Sequence, residues 1–160
     1  MEIKHVTMQD LPDILRIEKS GFTDAEAGTE SQYKDRIKTI PDTFLTAKQD
    51  GKLVGYVVGP AVNEEYVDDE MFAKSVPNLP EGGNQIILSI AIDPQSRGYG
   101  IGSQLLDAFE KLAKESNRKT VSLTSLDKNV PFYEKNGYVN KGVADSEHAN
   151  ETWYNLVKTI

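Results

Sequence analysis

A chain of 160 residues with 38% apolar, 27% charged and 8% aromatic residues has the composition of a folded, water-soluble domain and is long enough to bury a substantial core. Its net charge of −7 and pI near 4.9 argue against a nucleic-acid-binding face, and no apolar run reaches the roughly 18 residues of a membrane span. The absence of cysteine excludes disulfides, a thiolate nucleophile and a thiolate zinc site, and two histidines, His5 and His148, are too few for a His-rich metal site.

The opening segment Met1–His5 has no apolar leader core, so a cytoplasmic protein is expected. Glu2 to Thr7 reads as a first strand. Asp10 is a candidate cap for a helix with Pro12 in its first turn, continued by Leu11, Ile14, Leu15, Ile17 and Glu18 and ended at Gly21-Phe22-Thr23. Residues 24–30 form an acidic connector, and Ser31 to Thr39 a second short helix stopped by Pro41. Phe44 to Lys48 and Leu53 to Val62 alternate about Gln49-Asp50-Gly51-Lys52, a hairpin pattern. Glu64 to Lys74 suits a short acidic helix, and Ser75 to Asn84, with Pro77, Pro80, Gly82 and Gly83, a loop. A connection this long in a small domain is usually functional or mobile. Gln85 to Ile92 reads as a buried strand. Gly98 to Ser116 is the strongest helix, with Ile101, Leu105, Leu106, Phe109, Leu112 and Ala113 on one face. Thr120 to Thr124 is a short strand, Pro131 opens a helix that Asn136-Gly137 closes, and Tyr138 to Val143 and Thr152 to Thr159 are two closing strands. The pattern is one mixed α/β domain, residues 1–160, around a central sheet.

The most informative stretch runs from Ile86 to Gly102: an apolar strand, then a basic glycine-rich turn that opens the long helix. Helix N-termini carry unpaired N–H groups and partial positive charge, and glycines let those groups close around a phosphate. Three phosphate-binding patterns compete for it. A P-loop needs Gly-Lys-Ser/Thr, which is absent. A dinucleotide fingerprint needs glycines directly after the strand, but Asp93 to Arg97 intervene and Ser103 stands at the third glycine position. Arg97-Gly98-Tyr99-Gly100-Ile101-Gly102 instead matches Arg/Gln-x-x-Gly-x-Gly/Ala. With the preceding strand it resembles motif A of the GNAT superfamily of N-acetyltransferases. Asn129-Val130-Pro131-Phe132-Tyr133-Glu134-Lys135-Asn136-Gly137-Tyr138 resembles motif B of the same superfamily, at the expected order and separation. Ile17-Glu18, Gly21-Phe22, Glu26-Ala27, Arg36-Ile37 and Asp69-Glu70-Met71 are similar to the arylalkylamine N-acetyltransferase-like branch. The tail from Ser146 to Tyr154 resembles that branch's His-Gly-Gly-x-x-Trp-Tyr, with Ala149-Asn150 in place of the glycines. Ile86 and Leu88 stand where the animal enzymes that acetylate serotonin carry histidines.

The resemblance implies an α/β (α+β) GNAT fold: a central mixed, mostly antiparallel sheet of about seven strands with helices on both faces. It implies acetyl-CoA as cosubstrate, with no metal, held in a V-shaped gap between Gln85–Ile92 and Thr120–Thr124. The backbone of Ile90, Ala91 and Ile92 would pair with the pantetheine arm. Arg97, Gly98, Tyr99, Gly100, Ile101, Gly102 and Ser103 would grip the pyrophosphate, and Asn129 and Phe132 would contact the CoA arm. Tyr133 is the implied general acid for the departing thiolate, since a phenol of ordinary pKa about 10 can protonate it. A base must deprotonate the incoming ammonium; Glu26 is the first candidate, with Glu70 and His148 behind it. Phe22, Tyr33 and Trp153 would wall an acceptor pocket. The implied activity is transfer of acetyl to a small primary amine, such as an arylalkylamine or polyamine. No nucleic-acid or membrane partner is expected, and a homodimer is common for this fold. A non-catalytic acetyl-CoA-binding or regulatory domain, and acetylation of a protein lysine or N-terminus, stay open as alternatives.

Overall fold

The computed structural model describes residues 1–145 and 148–160, with His148 described in its backbone alone. Strand β1 (Glu2–His5) leads through a 3-10 turn to helix α1 (Leu11–Gly21), then α2 (Glu30–Thr39), β2 (Phe44–Gln49) and β3 (Lys52–Val58). The β2–β3 turn has Asp50 and Gly51 both at positive φ, as a two-residue hairpin loop requires. Strand β4 (Ala61–Val62), helix α3 (Glu70–Ala73), β5 (Asn84–Ile86), β6 (Ser89–Ile92) and the long α4 (Ile101–Glu115) follow. Strand β7 (Thr120–Ser125), helix α5 (Val130–Lys135), β8 (Val139–Val143) and β9 (Tyr154–Thr159) complete the order.

The mixed α/β class with helices on both faces holds, but the strands form two sheets rather than one. Their orders are β1-β2-β3-β6 and β4-β5-β7-β9-β8. The about seven expected strands become nine among the described residues because two long ones break side by side. Leu53–Val62 parts at Gly59-Pro60 into β3 and β4, and Gln85–Ile92 parts at Ile87-Leu88 into β5 and β6. Register gives the cause. Val58 pairs with Ser89 and Ala61 with Gln85, so the β5–β6 side carries one extra residue, a bulge. At the break the two backbones nearly touch: a Cβ on Gly59 would lie 1.6 Å from the Ile86 carbonyl oxygen. Pro60 adds a residue with no N–H for a ladder.

This break makes the site. Strand β5 runs parallel to β7 through Gln85↔Val121 and Ile86↔Ser122, and the Ile87 N–H still donates to Ser122 O at 2.8 Å. Beyond it β6 pairs only with β3, and β7 only with β9. The facing edges of β6 and β7 therefore diverge without a shared ladder.

Two cores hold the sheets. Along β3, Val54 and Val57 face α4, whereas Leu53, Tyr56 and Val58 face α1 and α2. The α4 side buries Ile101, Leu105, Leu106, Phe109 and Ala113, five of the six residues on the predicted apolar stripe, and leaves Leu112 partly buried at its edge. Helix α3 is shorter than the predicted 64–74 helix. Five acidic residues repel one another there, and Ser122 Oγ takes the Glu65 carbonyl into a bond that a helix would need. The 63–84 connection is tied down: Ser75 N donates to Asp35 Oδ2 at 2.7 Å, and Asn78 Nδ2 to Thr43 Oγ1 at 2.9 Å. Among the described residues no helix is long and apolar enough to cross a membrane.

Candidate active site

A cavity of about 930 Å³ fills the wedge between β6 and β7 and continues beneath the α1–α2 connector. Its floor is the strand edge Ile87–Ile92, and one wall is the glycine-rich turn with the start of α4. The turn is built from its own sequence. Asp93 Oδ1 accepts from Gln95 N–H at 3.2 Å, its Oδ2 accepts from Arg16 Nη1 at 3.1 Å, and Ser96 N–H returns to Asp93 O. Burial raises the Asp93 pKa, but the Gln95 N–H and the Arg16 guanidinium outweigh it and hold the carboxyl below its usual range. Arg97 Nε donates to Ile92 O at 3.2 Å. Gly98 and Gly100 both sit at positive φ, +88° and +78°, where other residues are strained. Gly100 takes the N-cap position of α4 with no side-chain cap, and Gln104 N–H is the first to bond back, to Gly100 O. The N–H groups of Ile101, Gly102 and Ser103 thus have no partner within the helix, at its positive end. That cradle fits a pyrophosphate, and the open β6 edge fits an extended amide arm.

Of the residues expected here, Ile90, Ala91, Ile92, Arg97, Gly98, Gly100, Ile101, Gly102, Ser103, Asn129 and Phe132 all line the cavity. Tyr99 does not: it is 75% exposed and outside the cavity lining, between two glycines at positive φ that belong to it. Phe132 stands over the start of α4, where a Cβ on Gly102 would approach its ring to 3.1 Å.

Tyr133 reaches the cavity from α5. Its ring meets Phe132 and Tyr138 edge-on, with centroids 5.1 and 6.0 Å apart. Its hydroxyl makes no hydrogen bond to the described residues, yet it is not among their enclosed unpaired atoms, so it opens on the cavity. Burial pushes this phenol well above its ordinary range, so it holds its proton at any working pH.

The connector end is more varied. Phe22, Glu26 and Trp153 line the cavity. Glu26 Oε1 accepts from Thr23 N–H at 2.9 Å while Thr23 Oγ1 accepts from Glu26 N–H, closing its own turn. Burial raises its pKa, but hydrogen bonds with Glu151 and Thr23 and the charge of Lys128 bring it below the ordinary value. Tyr33 is no pocket wall: it is fully buried in the core between Phe44 and Tyr56, because α2 turns that face onto the sheet. Glu70 starts the short α3 outside the cavity lining, where the shortened helix carries it away. The side chain of His148 lies outside the described residues. No group of three or more His, Asp or Glu able to hold a metal occurs among them.

Sequence reasoning missed two buried charged residues on this wall, Glu18 and Arg36, together with Ser89. Glu18 is 3% exposed; its Oε1 accepts from Ser89 Oγ at 2.9 Å and from the Tyr56 hydroxyl, and its Oε2 from Gly28 N–H at 2.8 Å. The missed signal was a carboxylate on the buried face of α1 with Leu11, Ile14 and Ile17, and a guanidinium on the buried face of α2 with Tyr33 and Ile37.

A profile of the acetyltransferase (GNAT) family matches residues 9–138. An uncharacterized N-acetyltransferase of Archaeoglobus fulgidus is 28% identical over 127 residues, covering 77% of this chain and 80% of that protein. An N-alpha-acetyltransferase of Sulfurisphaera tokodaii is 29% identical over 140 residues, 85% and 78% of the two chains. The GphF GNAT-like decarboxylase, solved with isobutyryl-CoA, superposes with a TM-score of 0.85 over 99% of both chains at 15% identity, a likeness of fold.

Proposed function

The chain belongs to the acetyltransferase (GNAT) family, and from that premise we propose that it moves the acetyl group of acetyl-CoA to the nitrogen of a small primary amine held beneath the α1–α2 connector. The observation that carries this reading is the pairing, in one cavity, of an uncapped glycine-built helix start with a buried, unbonded tyrosine hydroxyl.

In this reading the first-turn N–H groups of α4 and the Arg97 guanidinium hold the pyrophosphate, and the free edge of β6 pairs with the pantetheine amides. The amine enters as ammonium. Glu18, an anion held by three donors, stabilises its charge, and Glu26, nearer solvent, takes up the proton that must leave before attack. The nitrogen lone pair forms the new C–N bond, the C–S bond breaks, Tyr133 gives its hydroxyl proton to the departing sulfur, and the second proton that the nitrogen sheds as the amide forms restores the Tyr133 hydroxyl. The desolvation that raises the phenol's pKa also raises that of a thiolate in the same cavity, so the two stay close enough for transfer.

Purified protein should release CoA thiol from acetyl-CoA only when an acceptor is present. A panel of tryptamine, phenylethylamine, spermidine, amino sugars, amino acids and short peptides tests it; silence from every member sinks the proposal. A second reading, acetylation of a peptide N-terminus, draws support from the Sulfurisphaera relative, which bears that activity in its name. The peptide members of the panel separate the two.

A further inference from the structure

Resting on the reading above, we propose that the acceptor carries a carboxylate beside its amine, as a free amino acid does, and that Arg36 recognises it. Arg36 is 2% exposed and lies on the cavity wall near Glu18. Its guanidinium covers the Tyr33 ring at 4.7 Å, and Nη2 donates to Phe72 O at 3.0 Å. Nε and Nη1 make no hydrogen bond to the described residues, and none of their carboxylates comes within ion-pair distance of the guanidinium. A buried cation is ordinarily paired, because leaving water without a counter-charge is costly. The neighbouring carboxylates are engaged elsewhere: Asp35 by Ser75 N–H and Thr39 Oγ1, Glu18 by Tyr56, Ser89 and Gly28.

The two charges approach a single point of the wall without closing into an ion pair. A methyl on Gly28 would lie 3.2 Å from Arg36 Nη1 and 3.3 Å from Glu18 Oε2, and all three residues line the cavity. Glu18 is bonded to Ser89, the first residue of β6, which puts the anion at the donor end of the cavity. An ammonium drawn to Glu18 and a carboxylate on the same carbon, forked onto Arg36, would satisfy both groups with one small molecule. A simple arylalkylamine leaves Arg36 unpaired, and a polyamine sets a second ammonium against it.

The test uses matched triplets at saturating acetyl-CoA: each amino acid, its α-amide and its decarboxylated amine, for alanine, leucine, phenylalanine, lysine and glutamate, with CoA thiol release as the readout. For the side chain that fits best, kcat/KM for the acid should exceed those of amide and amine at least tenfold. Arg36→Gln should collapse that ratio toward one, mainly through KM for the acid, and Arg36→Lys should keep part of it. An amide or amine that matches the acid in the wild type overturns the proposal, as does a ratio that survives in folded Arg36→Gln. A preference for amides also points to peptide N-termini. If no triplet releases CoA, the wider acceptor panel decides the transfer reading, and calorimetry on the CoA-loaded protein decides this one. Tighter, Arg36-dependent binding of phenylalanine than of phenethylamine upholds it, and equal binding overturns it.

Discussion

Replacing Tyr133 by phenylalanine removes one oxygen and little else. The hydroxyl bonds to none of the described residues, and the ring contacts with Phe132 and Tyr138 are kept, so no partner is stranded. Unfolding free energy should stay within about 0.5 kcal/mol of wild type. Affinity for CoA should stay within about twofold, since the cradle is built by α4 and β6. Turnover should fall sharply. A positioned general acid contributes about 10²–10⁴-fold. At about 1.36 kcal/mol per decade the barrier rises by about 2.7–5.4 kcal/mol. The assay is CoA thiol release with a colorimetric disulfide, beside calorimetric CoA binding and a melting curve for each protein. Because burial raises the phenol above its ordinary pKa of 10.0, wild-type activity should show no loss from Tyr133 ionisation up to that pH. A folded Tyr133→Phe protein with kcat within threefold of wild type would refute the assignment of the acid.

Gly59→Ala sets a methyl 1.6 Å from the Ile86 oxygen at the point where the sheets part. It should cost at least about 3 kcal/mol and lower Tm by about 6–12 °C; an unchanged Tm would show that the break does not depend on this approach. Arg97→Ala should weaken CoA binding about 10- to 100-fold through a lost charge-assisted contact and make the remainder less salt-sensitive, measured by titration at two salt concentrations. Glu26→Gln can still accept from Thr23 N–H, so the fold should hold while kcat/KM for the amine falls at least about tenfold; full activity would remove Glu26 from the mechanism. The Asp93 carboxyl titrates lower when folded than unfolded, so its contribution is present above the unfolded pKa and is lost as pH falls through the folded one. Wild type should therefore lose Tm more steeply than Asp93→Asn below about pH 4, and coincident acid profiles would contradict this.

Sequence periodicity located nearly every element, since α4 carries its own apolar stripe, the β2–β3 hairpin its own turn and α5 its opening proline and closing glycine. It did not show the two strand breaks. A one-residue bulge leaves no mark on alternation, and it follows from which strands become neighbours. The glycine-rich wall of the cavity was legible for a related reason: Arg97 to Ser103, Tyr99 apart, and Asn129, Phe132 and Tyr133 are placed by local backbone and one short helix. The acceptor half was not. Tyr33 was expected at the pocket and lies in the core, whereas Glu18 and Arg36, noted for the resemblance but given no place in the site, stand on the wall. Those placements depend on how α1 and α2 pack on β3 and β6, which no single segment encodes.

We propose that the wedge between β6 and β7 holds acetyl-CoA with its thioester at Tyr133. A crystal structure with acetyl-CoA tests it most directly. The pyrophosphate should lie on the N–H groups opening α4, the pantetheine arm along Ile90–Ile92, and the sulfur within hydrogen-bond reach of the Tyr133 hydroxyl. A cosubstrate bound elsewhere, or seated in the wedge with its sulfur remote from Tyr133, would contradict it.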